Sequence, residues 1–115
     1  PFVNENLKMK EALKILSNKK LGTLIVLDKR KKTTGIITDG QIRRFNQKKI
    51  NIHVMKVNEI MTKNPITIDK NALAAKALSL MNSKKITSLI VCDKKNKNKT
   101  IGLVHIHNIL ESNIL

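Results

Sequence analysis

The segment "KKITSLIVCDKK" at residues 84–95 restates "KKLGTLIVLDKR" at residues 19–30, with seven of twelve positions identical. The offset is 84 − 19 = 65 residues. A chain that writes the same apolar run in the same polar frame twice must build one structural unit twice. The repeat extends backwards, where "MKEALKIL" (9–16) aligns with "AAKALSLM" (74–81) at the same offset. Met9, Ala12, Leu13 and Leu16, with their counterparts Ala74, Ala77, Leu78 and Met81, follow i, i+3, i+4, i+7 spacing, which predicts one helix per unit. Asn4 and Asp69 stand ahead of these stripes as N-cap candidates. The short apolar pieces "FV" and "ITI" before them predict strands, and the β-branched runs "TLIVL" and "SLIVC" after them predict buried strands.

Each copy continues through a lysine-rich turn into a second strand, "TGIIT" (34–38) and "TIGLVH" (100–105). The offset grows there to 102 − 35 = 67, because the second turn is two residues longer, a variation that a hairpin loop tolerates. A closing helix is predicted around 40–49 and again around 106–113. The predicted fold class is therefore α+β: two pseudo-symmetric β-α-β-β-α repeats, packed sheet to sheet. They occupy 1–50 and 66–115, and 51–65 is the linker and lead-in that Pro65 closes. One unit of about 50 residues alone would be marginal, so the two are expected to share a core.

Composition narrows the function classes. Phe2 and Phe45 are the only aromatic residues, so the core is aliphatic, and the stacking platforms of most single-strand nucleic-acid binders are missing. No apolar run is long enough to cross a bilayer, and the opening residues do not resemble a signal peptide. A lone cysteine, Cys92, cannot make an internal disulfide; a cytoplasmic protein with no membrane partner is expected. The chain lacks an initiator Met and Pro1 leads straight into the first repeat, which predicts a segment of a longer protein. The net charge of +15 could attract a polyanion. Its lysines, however, fall on helix exteriors and in the loops "DKRKKTT" and "DKKNKNKT", where solvent is expected. No recognised nucleic-acid module accompanies them, so a nucleic-acid partner is not expected.

Few residues carry chemistry. His105 and His107 would share one face of a strand, but two ligands do not make a metal site, and no metal or cofactor is predicted. They either line a cleft at the strand-to-helix junction or are satisfied within the fold. Cys92, opposite Leu27 in the other copy, reads as a buried small hydrophobe. Thr38, Asp39 and Gly40 open a helix, where backbone N–H groups can face an anion, or where Thr38 or Asp39 is simply the N-cap. No positioned acid/base or nucleophile set is present, so no catalytic residue is predicted.

The phrase "VNEIMTKNPITI" (57–68) and the strands "GIIT" and "GLVH", each leading into a helix, resemble a tandem pair of cystathionine-β-synthase (CBS) domains. "KKLG", "GIITDGQIRR" (35–44) and "GLVHIHNIL" (102–110) are similar, more narrowly, to the CBS pair attached to arabinose-5-phosphate isomerases of the sugar-phosphate isomerase family. This resemblance implies a parent enzyme that converts ribulose 5-phosphate to arabinose 5-phosphate on the route to Kdo and lipopolysaccharide. The N-terminal isomerase domain of that chain would be a partner of the present one. The implied function is regulatory ligand sensing, with a nucleotide or nucleotide-sugar effector. CMP-Kdo is favoured over AMP, since its phosphate and carboxylate suit a basic module. The implied ligand-binding residues are Thr38, Asp39, Gln41, Lys85, Ile86, Thr87, Ser88, His105, His107 and Asn108.

CBS pairs that bind adenosine nucleotides place an Asp three residues after the Thr or Ser that ends the last strand, where it takes the ribose hydroxyls. Here the equivalent positions are Gln41 and Asn108, which lose the charge assistance. The alternatives are a structural module that builds oligomers without a ligand and a nucleic-acid-binding CBS pair. A homodimer is expected in which Ile42, Phe45, Ile109 and Leu110 of the closing helices contribute.

Overall fold

The computed structural model describes residues 2–17, 22–72, 74–93 and 96–106, with backbone alone at 96–98. The chain divides into two compact units, Pro1–Asn64 and Pro65–Leu115.

In the first unit β1 (Phe2–Asn4) leads through a turn into α1 (Met9–Ser17), and then come β2 (Thr23–Leu27), β3 (Thr33–Thr38) and α2 (Asp39–Gln47). A 3₁₀ turn (Ile52–Val54), the one-turn helix α3 (Val57–Ile60) and the two-residue strand β4 (Thr62–Lys63) complete it. The sheet order is β1-β2-β3-β4, parallel between β1 and β2 and antiparallel beyond. The central strand β2 is buried from Thr23 to Val26, which is why its sequence runs apolar without alternation. The stripe on α1 buries Met9, Ala12 and Leu16, with Leu13 packed against the same core.

Residues 51–64 are part of this unit. Ile52, Val57 and Ile60 are buried in one cluster with Val3, Met9, Leu24 and Ile37. The N–H of Met9 donates to Met55 O at 2.8 Å, that of Val57 to Leu7 O at 2.8 Å and that of Asn58 to Glu5 O at 2.9 Å. β4 pairs with β3 at Gly35↔Lys63 and Ile36↔Thr62. The approach is close: a Cβ on Gly35 would stand 2.8 Å from Met61 Cγ and 2.9 Å from Thr62 O. Gly35 is what lets this crossing form.

The second unit repeats the plan with β5 (Thr67–Asp69), α4 (Ala74–Lys84), β6 (Ser88–Asp93) and β7 (Asn96–His105). Its sheet order is β5-β6-β7, parallel then antiparallel. The parallel register is the same as in the first unit, with Phe2↔Ile25 matched by Thr67↔Ile90. β7 begins at Asn96, four residues before the expected start at 100, because the longer turn folds back on the ladder. Asp93 pairs with Asn96, and the register shifts before Cys92↔Thr100. Cys92 is buried, and its Sγ–H donates to Ile68 O at 3.6 Å. Of the second closing helix only Ile106 lies within the described residues; Ile109 and Leu110 lie outside them.

Asn4 and Asp69 act in turns rather than as helix caps. Asn4 Oδ1 accepts from Asn6 N–H at 2.8 Å and Asp69 Oδ2 from Asn71 N–H at 3.2 Å, each two residues on. Both residues are still held in a strand, so they close the turn that leaves it rather than cap the helix further along. Helix C-termini are also repeated. At "KKI" (48–50) Lys49 has φ 59°, its N–H donates to Asn46 O, and Ile50 N–H donates to Phe45 O. At "KKI" (84–86) Lys85 has φ 57°, its N–H donates to Asn82 O, and Ile86 N–H donates to Met81 O. Each is a Schellman cap with lysine in the left-handed position that glycine usually fills.

Candidate ligand site

Of the predicted site residues, Thr38, Asp39 and Gln41 lie where β3 runs into α2 in the first unit, and Lys85, Ile86, Thr87, Ser88 and His105 lie around the start of β6 and the end of β7 in the second. In the first unit Thr38 is the last residue of β3 and the N-cap of α2. Its Oγ1 accepts from Gln41 N–H at 3.3 Å, and Gln41 Oε1 accepts from Thr38 N–H at 2.9 Å, a reciprocal capping box. The Gln41 amide nitrogen donates to Thr62 Oγ1 at 2.6 Å and to Ile60 O at 3.4 Å. Both of its protons are therefore used inside the unit. Gln41 ties the start of α2 to the segment that runs into β4.

Asp39 N–H donates to Gly22 O at 3.0 Å. Gly22 has φ +63°, and a Cβ there would collide with the Asp39 carboxylate, so the residue before β2 is fixed as glycine on two counts. The second unit makes the corresponding bond: Ile106 N–H donates to Thr87 O at 2.7 Å. Both units thus staple the entry of the second strand to the exit of the third. Thr23 faces Thr38 across this junction in one unit, and Ser88 faces His105 in the other. Thr23 and Ser88 are the two buried polar residues among those described.

Around the second junction Lys85 and Thr87 are exposed, Ile86 packs on the core and His105 is half-buried. The N–H groups of Lys85 and Ile86 are spent on the helix cap and the Thr87 carbonyl on Ile106. His107 and Asn108 lie outside the described residues. Among the described residues no three of His, Cys, Asp and Glu converge as a metal site. Beside Gln41 a shallow groove of about 220 Å³ is lined by Arg44, Phe45, Lys48 and Ile60, so the face of α2 next to the junction is cationic.

Sequence reasoning missed Gly22 and Thr62. The first is signalled by a glycine between helix and strand in "KKLG", the second by the polar residue that ends "IMT".

The CBS domain family matches residues 1–48 and again 57–114. The chain is a pair of CBS domains. It is 39% identical over 114 residues to uncharacterized protein RP505 of Rickettsia prowazekii, covering 99% of this chain and 34% of that one. It is 33% identical over 115 residues to arabinose 5-phosphate isomerase KdsD of Yersinia pestis, covering 100% of this chain and 34% of that one. The chain thus spans about a third of the length of these relatives. Among solved structures it matches the CBS domain pair of protein MJ0100 in complex with 5′-methylthioadenosine and S-adenosyl-L-methionine. The TM-score is 0.82 at 26% identity, covering 96% of this chain and 88% of that one. The CBS pair is a regulatory fold, and its two copies account for the described units without a catalytic domain.

Proposed function

We propose that this CBS pair is the effector-sensing part of an arabinose-5-phosphate isomerase, and that it binds a nucleotide or nucleotide sugar at the strand-to-helix junctions. The observation that carries the reading is the stapled junction made in both units, at Gly22 and Asp39 and at Thr87 and Ile106. It places polar side chains at the same point of each repeat, next to cationic residues. Similarity to KdsD over the whole chain supports the parent activity, and the adenosine-bearing ligands of the MJ0100 pair support the ligand class.

Within that class CMP-Kdo is favoured over AMP. Its phosphate and carboxylate complement a chain of net charge +15. The ribose-binding carboxylate is replaced at both positions, by Gln41 and Asn108. Gln41 has both amide protons committed within its unit, so the second unit, with Lys85, Thr87, Ser88, His105, His107 and Asn108, is the better candidate for the bound ligand.

Regulation follows if the ligand binds two arrangements of the parent enzyme with different affinity. Calorimetry with CMP-Kdo and with AMP tests the ligand: tighter binding of CMP-Kdo is expected. Asn108→Asp is expected to strengthen AMP binding by about 1–2 kcal/mol through a charge-assisted hydrogen bond. Tight binding of AMP by the wild type, unchanged in Asn108→Asp, would remove the argument from the missing carboxylates.

A further inference from the structure

The groove beside α2 joins two kinds of side chain. Phe45 and Ile60 give it an apolar floor, and Arg44 and Lys48, four positions apart on one face of the helix, stand along it. All of its lining residues belong to the first unit. The helix macrodipole accounts for a cation in a last turn, whereas α2 and its cap carry four, Arg43, Arg44, Lys48 and Lys49, all exposed. Among the described residues none of the four makes an ion pair. Like charges this close on a helix repel, so the row is most stable with carboxylates against it.

Size decides which occupant fits. Sites that enclose a drug-sized ligand run from roughly 300 Å³ upward. The groove, shallow and of about 220 Å³, has room for one apolar side chain on Phe45 and Ile60 with acidic neighbours on the cations, and too little for a nucleotide sugar. A second copy of the chain is a poor match, with 23 basic residues against 8 acidic ones and the same cations on its own α2. The relatives are about three times as long as this chain, so most of such a protein lies outside residues 1–115.

Position matters as well. Gln41 lines the groove, closes the capping box with Thr38 and donates its amide nitrogen to Ile60 O at 3.4 Å. Arg44 Nη1 lies back along the helix, 3.4 Å from where a Cβ on Gly40 would stand. The groove is thus built onto the same helix start as the junction, and a shift of Thr38 reaches its floor through Gln41.

We propose that this groove docks an acidic segment of the longer protein, from outside residues 1–115, with one apolar side chain on Phe45 and Ile60 and carboxylates on Arg44 and Lys48. The inference deepens the proposed function and rests on the longer chain that it supposes: it names the surface through which an effector at the junction acts on the rest of that protein.

A water-soluble carbodiimide, which joins a lysine amine to a carboxylate in contact with it, tests this on the longer protein without effector or substrate. After digestion, mass spectrometry is expected to find Lys48 linked to an Asp or Glu outside residues 1–115. Arg44 is exposed, so Arg44→Gln leaves the fold intact, and it should lower the yield of that link severalfold. Lys48 left unlinked, or linked only to carboxylates within residues 1–115 of its own or a second copy, overturns the proposal. An unchanged yield in Arg44→Gln does the same. The two readings fail separately: a link formed in a protein that no effector regulates counts against the proposed function alone, and a missing link in a regulated one against the docking alone.

Discussion

Gly22 precedes β2 with φ +63° and with the Asp39 carboxylate where a Cβ would go. Gly22→Ala must therefore either shift that carboxylate or leave the left-handed region. A loss of more than about 1 kcal/mol is expected in denaturant unfolding. Lys85 is the converse case, a side chain held at φ 57° in the cap of α4. Lys85→Gly is expected to gain about 0.5–1 kcal/mol in the same measurement. Gln41 makes hydrogen bonds that its sequence position does not announce. The resemblance marks it as a ribose contact that has lost its charge, whereas its amide links Thr38, Ile60 and Thr62. Those partners lie as far as 21 positions away in sequence, and no local pattern announces a bond of that range. Gln41→Ala gives up the capping box and the link to Thr62. It should cost about 1–2 kcal/mol, and thermal unfolding would show it.

The strands and helices with a long enough pattern are legible in the sequence. β2 and β6 stand out as β-branched runs, and α1 and α4 as apolar stripes one turn apart. What escapes are elements shorter than any period. α3 has four residues and β4 has two, so 51–65 reads as a linker although Ile52, Val57 and Ile60 are buried. Their burial depends on partners such as Val3 and Met9, some fifty residues upstream. Ile60→Ala distinguishes the two readings. Removal of a side chain that is 3% exposed should destabilise the protein by about 2–4 kcal/mol, and a passive linker would show almost no change in urea unfolding. The early start of β7 escaped for a related reason, since the residues of its longer turn are polar and carry no strand signal.

At the scale of the molecule, an aliphatic chain of 115 residues with 23 basic and 8 acidic side chains has written one unit twice, and each copy presents a stapled junction at the same place. Ile42 and Phe45 of α2 are half-buried against their own core. Light scattering at high micromolar concentration is expected to report a dimer, and a monomer would remove α2 from consideration as an interface. The proposed function makes the CBS pair the part of an isomerase that responds to an effector. Its most direct test is the rate of ribulose 5-phosphate conversion by the longer protein proposed to contain this chain, with and without CMP-Kdo, beside the same protein lacking residues 1–115. The effector is expected to change the rate of the whole protein and to leave the truncated one unaffected. An identical response in the two, or no response while CMP-Kdo is bound, would contradict it.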